Sequence, residues 1–128
     1  MQFSREISAA NLIAAWEPGR IRIAERWIEG HVIVAAESLE QWTPAEPAEL
    51  TSADLEPALA LDPEVVVIGT GLDQRLPDLD LMAAFAARGV GVEIMSTAAA
   101  CRTYNVLVHE GRRVVAALVN AASGSTAP

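Results

Sequence analysis

Apolar and polar positions follow different rhythms in different parts of this 128-residue chain. The first third alternates. In "RIRIAERWI" (20–28), Ile21 and Ile23 fall on one face and Arg20 and Arg22 on the other, the period-two mark of a half-solvated strand. "NLIAAW" (11–16) precedes it across Glu17-Pro18-Gly19, where proline sets one backbone angle and glycine accepts the other. Gly30 interrupts, and "HVIVAA" (31–36) reads as a third strand. Together the three predict an antiparallel meander.

The rhythm then lengthens. After a polar loop, "TPAEPAE" (43–49), Thr51 and Asp54 have capping-box spacing, and Leu50 and Leu55 stand where a hydrophobic staple would close. A helix should start there, and Pro57 should leave it short or kinked. From Val65 the run "VVVIG" shows no alternation, as expected of a strand covered on both faces. A helix over 78–88, stopped by Gly89, leads to a strand at 90–95. Ser96 or Thr97 caps a further helix to about His109, Gly111 ends it, and "RRVVAALV" (112–119) is a last buried strand. Alternating strands and helices of this kind mean an α/β layer, with right-handed crossovers wherever the joined strands are parallel. The meander either extends that sheet or forms a layer of its own. One α/β domain over 1–120 is expected, followed by a flexible tail at 121–128 with little to bury.

Composition narrows the partners. Hydrophobic residues make up 52% of the chain and aromatics only 5%, so the core must be aliphatic. No apolar run approaches the roughly 18 residues that would span a bilayer. The first residues lack the basic-then-apolar order of a signal peptide, so no membrane insertion and a cytoplasmic location are expected. Nine basic residues against seventeen acidic ones, a net charge of −8, argue against nucleic acid and anionic membranes. Cys101, the single cysteine, excludes an internal disulfide and a multi-cysteine metal site.

The chemistry-bearing candidates cluster late in the chain. Gly69-Thr70-Gly71 resembles a phosphate loop, but the third glycine of that fingerprint is Gln74 here, and about seven residues separate Gly71 from the next helix. No Gly-Lys-Ser/Thr follows, so the stretch reads as the bend that ends a buried strand. Cys101 reads as a buried small hydrophobe. His31 and His109 lack metal-ligand spacing, and no G-x-S-x-G elbow occurs. On the 97–109 helix, Asn105 lies beside a stripe of Thr97, Cys101 and Tyr104, with Arg102 one step further round. Two readings follow. In one, Asn105 and Tyr104 tie the helix to neighbouring backbone while Glu110 and Arg112 pair near the turn. In the other, Gly69, Thr70, Gly71, Thr97, Arg102, Tyr104 and Asn105 border a crevice at the strand ends that takes a small anion or carboxylate. Neither reading calls for a catalytic residue, a metal or a cofactor.

The segments "EPGRIRI", "SLEQW", "VVVIGTG" and "ST…A…R.YN.L..EGR.V.AAL" carry a wider likeness. Through them the chain resembles the small α/β family that includes the mitochondrial complex I assembly factor 3 and the adipogenesis-associated domain protein. The resemblance implies a three-layer α/β fold with a mixed central sheet and an additional N-terminal antiparallel β layer. It implies assembly or regulatory work through a protein partner, and no agreed catalytic role for the residues that form the family pattern: Gly69, Gly71, Thr97, Arg102, Tyr104, Asn105, Glu110 and Arg112. A targeting extension like that of the mitochondrial members is not expected. A non-catalytic interaction or assembly module is therefore expected. The alternative is a small-ligand binder or enzyme using the crevice between the Gly69–Pro77 loop and the Thr97–Asn105 helix. Exposed strand edges in the meander allow self-association.

Overall fold

The computed structural model describes residues 10–122. The N-terminal residues read for a signal peptide, and the expected tail beyond Ala122, lie outside the described residues. Three short strands, β1 (Ile13–Glu17), β2 (Arg20–Ile23) and β3 (Arg26–Glu29), form an antiparallel outer sheet. The central sheet contains β4 (Val32–Ala35), β5 (Ser38–Gln41), β6 (Val65–Thr70), β7 (Gly91–Met95) and β8 (Val114–Val119), in the order β5-β4-β8-β6-β7. It is mixed: β6 runs parallel to β7 and β8, while β4 runs antiparallel to β8 and β5.

Both meander boundaries differ from those expected. The run 20–28 folds back on itself at Ala24-Glu25, with Ile23 opposite Arg26 and Ala24 at φ 55°. "HVIVAA" leaves the meander altogether. Val32, Ile33 and Val34 are fully buried without alternation, so they need cover on both faces, and only the inside of the larger sheet supplies it. The segment lies between β8 and "SLEQ", antiparallel to both, and "SLEQ" has no strand signature in its residues.

The helices fall where the capping signals put them. Asp54 Oδ2 accepts from the Thr51 N–H (2.9 Å) and hydroxyl (3.1 Å). A 3₁₀ turn (Ala53–Leu55) then leads into the one-turn helix α1 (Glu56–Leu59). Pro57 lies in the first turn, where its missing N–H has no intrahelical role, so the element is short rather than kinked. Asp78 caps α2 (Leu79–Ala87) and Ser96 caps α3 (Thr97–His109). Gly89 and Gly111, both at positive φ, follow them.

Alternate residues of the central strands serve two cores. Val65, Val67, Val114, Ala116 and Leu118 face α3 and the outer sheet, while Val66, Ile68, Val115, Ala117 and Val119 face α1 and α2. The result is three layers, with the outer sheet sharing one of them with α3. Asn105 joins the members of that layer: its Oδ1 accepts from Ile13 N–H and its Nδ2 donates to Ile13 C=O, both at 2.9 Å. A helical side chain thus stands in for a neighbouring strand along β1. Tyr104 adds a 2.6 Å bond from its hydroxyl to Asn11 C=O.

The expected Glu110–Arg112 pair does not form. Glu110 closes α3 through its backbone, and Arg112 Nε meets Glu64 Oε2 at 2.9 Å. The parallel pairing of β6 with β8 brings Glu64 alongside Arg113, whose N–H also bonds Glu64 Oε1 at 3.1 Å. That backbone bond, then the Arg112 side chain, hold the Glu64 carboxyl below its usual range.

Asn105→Ala leaves two backbone groups of β1 unpaired and is expected to cost about 1–3 kcal/mol, read from urea unfolding. Asn105→Asp, which sets a carboxylate oxygen against the Ile13 carbonyl, should cost at least as much as alanine.

Candidate functional site

β6 carries Gly69 and Thr70 to its end, and the chain turns at Gly71 with φ 104°. A Cβ on Gly69 would stand 2.8 Å from Thr97 Oγ1 and 2.9 Å from Thr97 Cα. The first turn of α3 therefore rests directly on the strand. Thr97, fully buried, accepts from Gly71 N–H (2.9 Å), donates its hydroxyl to Val119 C=O, and sends its own N–H to Gly71 C=O (2.8 Å). Thr70 Oγ1 donates to Asp73 C=O (2.7 Å) and accepts from Arg75 N–H (2.9 Å), which folds the following loop back on the strand.

The residues grouped as a ligand set thus divide. Gly69, Thr70, Gly71 and Thr97 come together, with Gly71 and Thr97 bonded to each other and the Thr70 hydroxyl spent on Asp73, Arg75 and Met95. Tyr104 and Asn105 turn toward the outer sheet, and burial raises the Tyr104 phenol above its ordinary pKa. Arg102 is exposed, makes no ion pair among the described residues, and borders neither of the cavities near the loop. Cys101 is buried, and desolvation pushes its thiol up to about 12, well away from a reactive thiolate.

The larger cavity, about 560 Å³, opens at the C-terminal ends of β6 and β8. Trp16, His31, Pro47, Leu72, Arg75 and Asn120 are among its walls. A second of about 340 Å³ shares Pro47, Ala48, Thr70 and Arg75 with it and continues toward Leu50 and Pro77. The cation at this place is Arg75 rather than Arg102.

Asn120 organises the inner wall. It is only 3% exposed, and its Oδ1 accepts from Trp16 Nε1–H (3.1 Å) and Gly19 N–H (3.3 Å). Those two donors fix the orientation of the amide, since a flipped group would set donor against donor. The Asn120 backbone N–H donates to His31 Nδ1 at 2.8 Å. Neutral His31 therefore carries its proton on Nε2. Asn120 Nδ2 is buried with no partner among the described residues. An unmet buried donor of this kind costs about 1–3 kcal/mol.

The rhythm of the chain hid most of this wall. Asn120 directly follows a buried strand, the position where α/β sheets place ligand groups, and that signal was available. Trp16, His31 and Arg75 come from three separated segments and share no spacing.

Burial holds the His31 pKa below its ordinary 6.5. The unfolded chain takes up the proton first as pH falls, so the folded state loses stability from about pH 6.5 downward and is unaffected above it. Protonation would also destroy the acceptor for Asn120 N–H. Melting curves from about pH 8 to about pH 5 should fall more steeply for the parent than for His31→Gln.

Comparison with known proteins places this fold. A protein of Bordetella parapertussis with a crystal structure is 39% identical, with a TM-score of 0.81 over 88% of this chain and 97% of that one. Human NADH dehydrogenase [ubiquinone] 1 alpha subcomplex assembly factor 3 is 30% identical over 95% of this chain and 67% of its own length. The "13 kDa major membrane protein" of Francisella tularensis is 42% identical over 51% of this chain, and the match spans 53% of that protein. In the present chain no helix of the described residues is long and apolar enough to cross a membrane. Residues 13–119 match the family described as "Protein of unknown function (DUF498/DUF598)", and the chain belongs to that family.

Proposed function

We propose that this chain is a non-catalytic assembly module that works in the cytoplasm by binding another protein. Relatives named as assembly factors support the reading at about the identity of the human protein. The observation that carries it is the segment after β6. Leu72, Leu76, Leu79 and Met82 are 63%, 75%, 83% and 36% exposed, while Leu81 and Phe85 of the same helix are buried. Single exposed leucines are ordinary; four large apolar side chains within eleven residues, beside a cavity, mark a surface for a protein partner.

A second element supports docking. Among the described residues β3 has β2 as its only strand neighbour, so its outer edge is open to strand addition or self-association. The opposite edge of the sheet is closed by Asn105. Arg20 lies over the half-exposed Trp27 ring at 4.0 Å, an aromatic–arginine pair of the kind enriched at interfaces.

Affinity purification of the tagged chain from its own host tests the reading. The parent should retain a protein in fixed stoichiometry, and Leu76→Glu with Leu79→Glu should lower its recovery about tenfold. Because both side chains are exposed, the melting temperature should stay nearly unchanged. A parent chain that purifies alone, or a double variant that keeps the protein undiminished, contradicts it.

A further inference from the structure

The cavity at the strand ends is bordered by residues whose side-chain donors have no partner among the described residues. Among the described residues Asn120 Nδ2 has no acceptor, and Trp16 and Gly19 prevent the amide from turning to find one. Among the described residues, His31 spends Nδ1 on Asn120 and leaves its Nε2–H unpaired, and the Arg75 side chain has no hydrogen-bond partner. The remaining wall is mostly apolar, with Pro47, Leu72, Val119 and Ala122 around the polar end.

Charge selects among acceptors. Glu46 and Asp73 border the same space as Arg75, so the lining is net negative and repels phosphate or a dicarboxylate. An uncharged oxygen meets no such barrier. A volume of about 560 Å³ lies within the usual range of small-ligand sites. From these observations we propose that the cavity is a binding site for an uncharged carbonyl or carboxamide group carried on an apolar body. The carbonyl oxygen takes the hydrogens of Asn120 and His31, and the apolar part lies against Pro47 and Leu72. Asn120 Nδ2 is closed to solvent, so bonding to it requires the wall to open locally. A free small amide and the main-chain carbonyl of an apolar peptide share this chemistry. The site does not depend on the assembly reading.

Nuclear magnetic resonance of the nitrogen-15-labelled full chain tests it through the Asn120 side-chain amide and the Trp16 indole N–H. The titrants are isovaleramide, a capped apolar tripeptide and inorganic phosphate. A saturable shift of both signals is expected with the amide, the peptide or both, and none with phosphate. Affinity should fall about tenfold in Asn120→Asp, which keeps the acceptor for Trp16 but removes the donor. Leu72→Lys, at an exposed position, should weaken binding too and serves if the first variant does not fold. A peptide about tenfold tighter than the amide makes a partner's chain the source; equal or tighter amide binding makes it a free small molecule. The proposal is overturned if neither carbonyl compound gives a saturable shift, if phosphate binds as well as either, or if the variants that fold bind like the parent.

Discussion

The absence of a side chain at Gly69 lets α3 touch the central sheet. With Thr97 Oγ1 and Cα both inside 3 Å of where a Cβ would stand, any larger residue must push helix and strand apart. That contact locks three segments at once. Thr97 reaches Gly71 at the turn after β6 and Val119 at the end of β8, so the two parallel strands and the helix N-terminus share one buried hydroxyl. The Gly-Thr-Gly stretch is thus a joint. Gly69 permits the approach, Gly71 takes the left-handed turn, and Thr70 folds the next loop back.

What lies around the joint follows from it. Val119 is held by Thr97, and the next residue, Asn120, reaches across to Trp16 and Gly19 in the outer sheet and to His31 ahead of β4. One short stretch therefore ties the outer layer to the central sheet at Trp16 and Gly19, as Asn105 ties it to the helix at Ile13. The loop folded back by Thr70 forms the opposite wall of the cavity and carries the exposed leucines onward to α2. A packing constraint between glycine and threonine thereby sets where a partner surface and a cavity stand side by side.

Much of this was legible in the residues, and the failures have physical causes. β6 and β8 showed themselves because a strand covered on both faces cannot alternate. β4 bears the same unbroken Val-Ile-Val signature, yet its neighbours in the chain suggested a meander; the partner that draws it into the central sheet, β8, lies about eighty residues away, beyond local pattern. The Ala24-Glu25 turn contains neither glycine nor proline, and an alanine at φ 55° leaves no mark in a sequence. Asn105 was readable as a polar residue needing partners inside a helix, and the structural reading of it holds. Arg102 was one position too far round the helix to face inward. The orphaned amide of Asn120 depends on three segments meeting in space, which no spacing rule encodes.

The joint itself is the most direct place to test the account. Urea unfolding of Gly69→Ala should show a loss of about 1–3 kcal/mol relative to the parent, the usual cost of forcing a methyl into a filled contact. Stability equal to the parent would mean that strand and helix have room between them, and would contradict the close approach on which the layer, the turn and the cavity wall all rest.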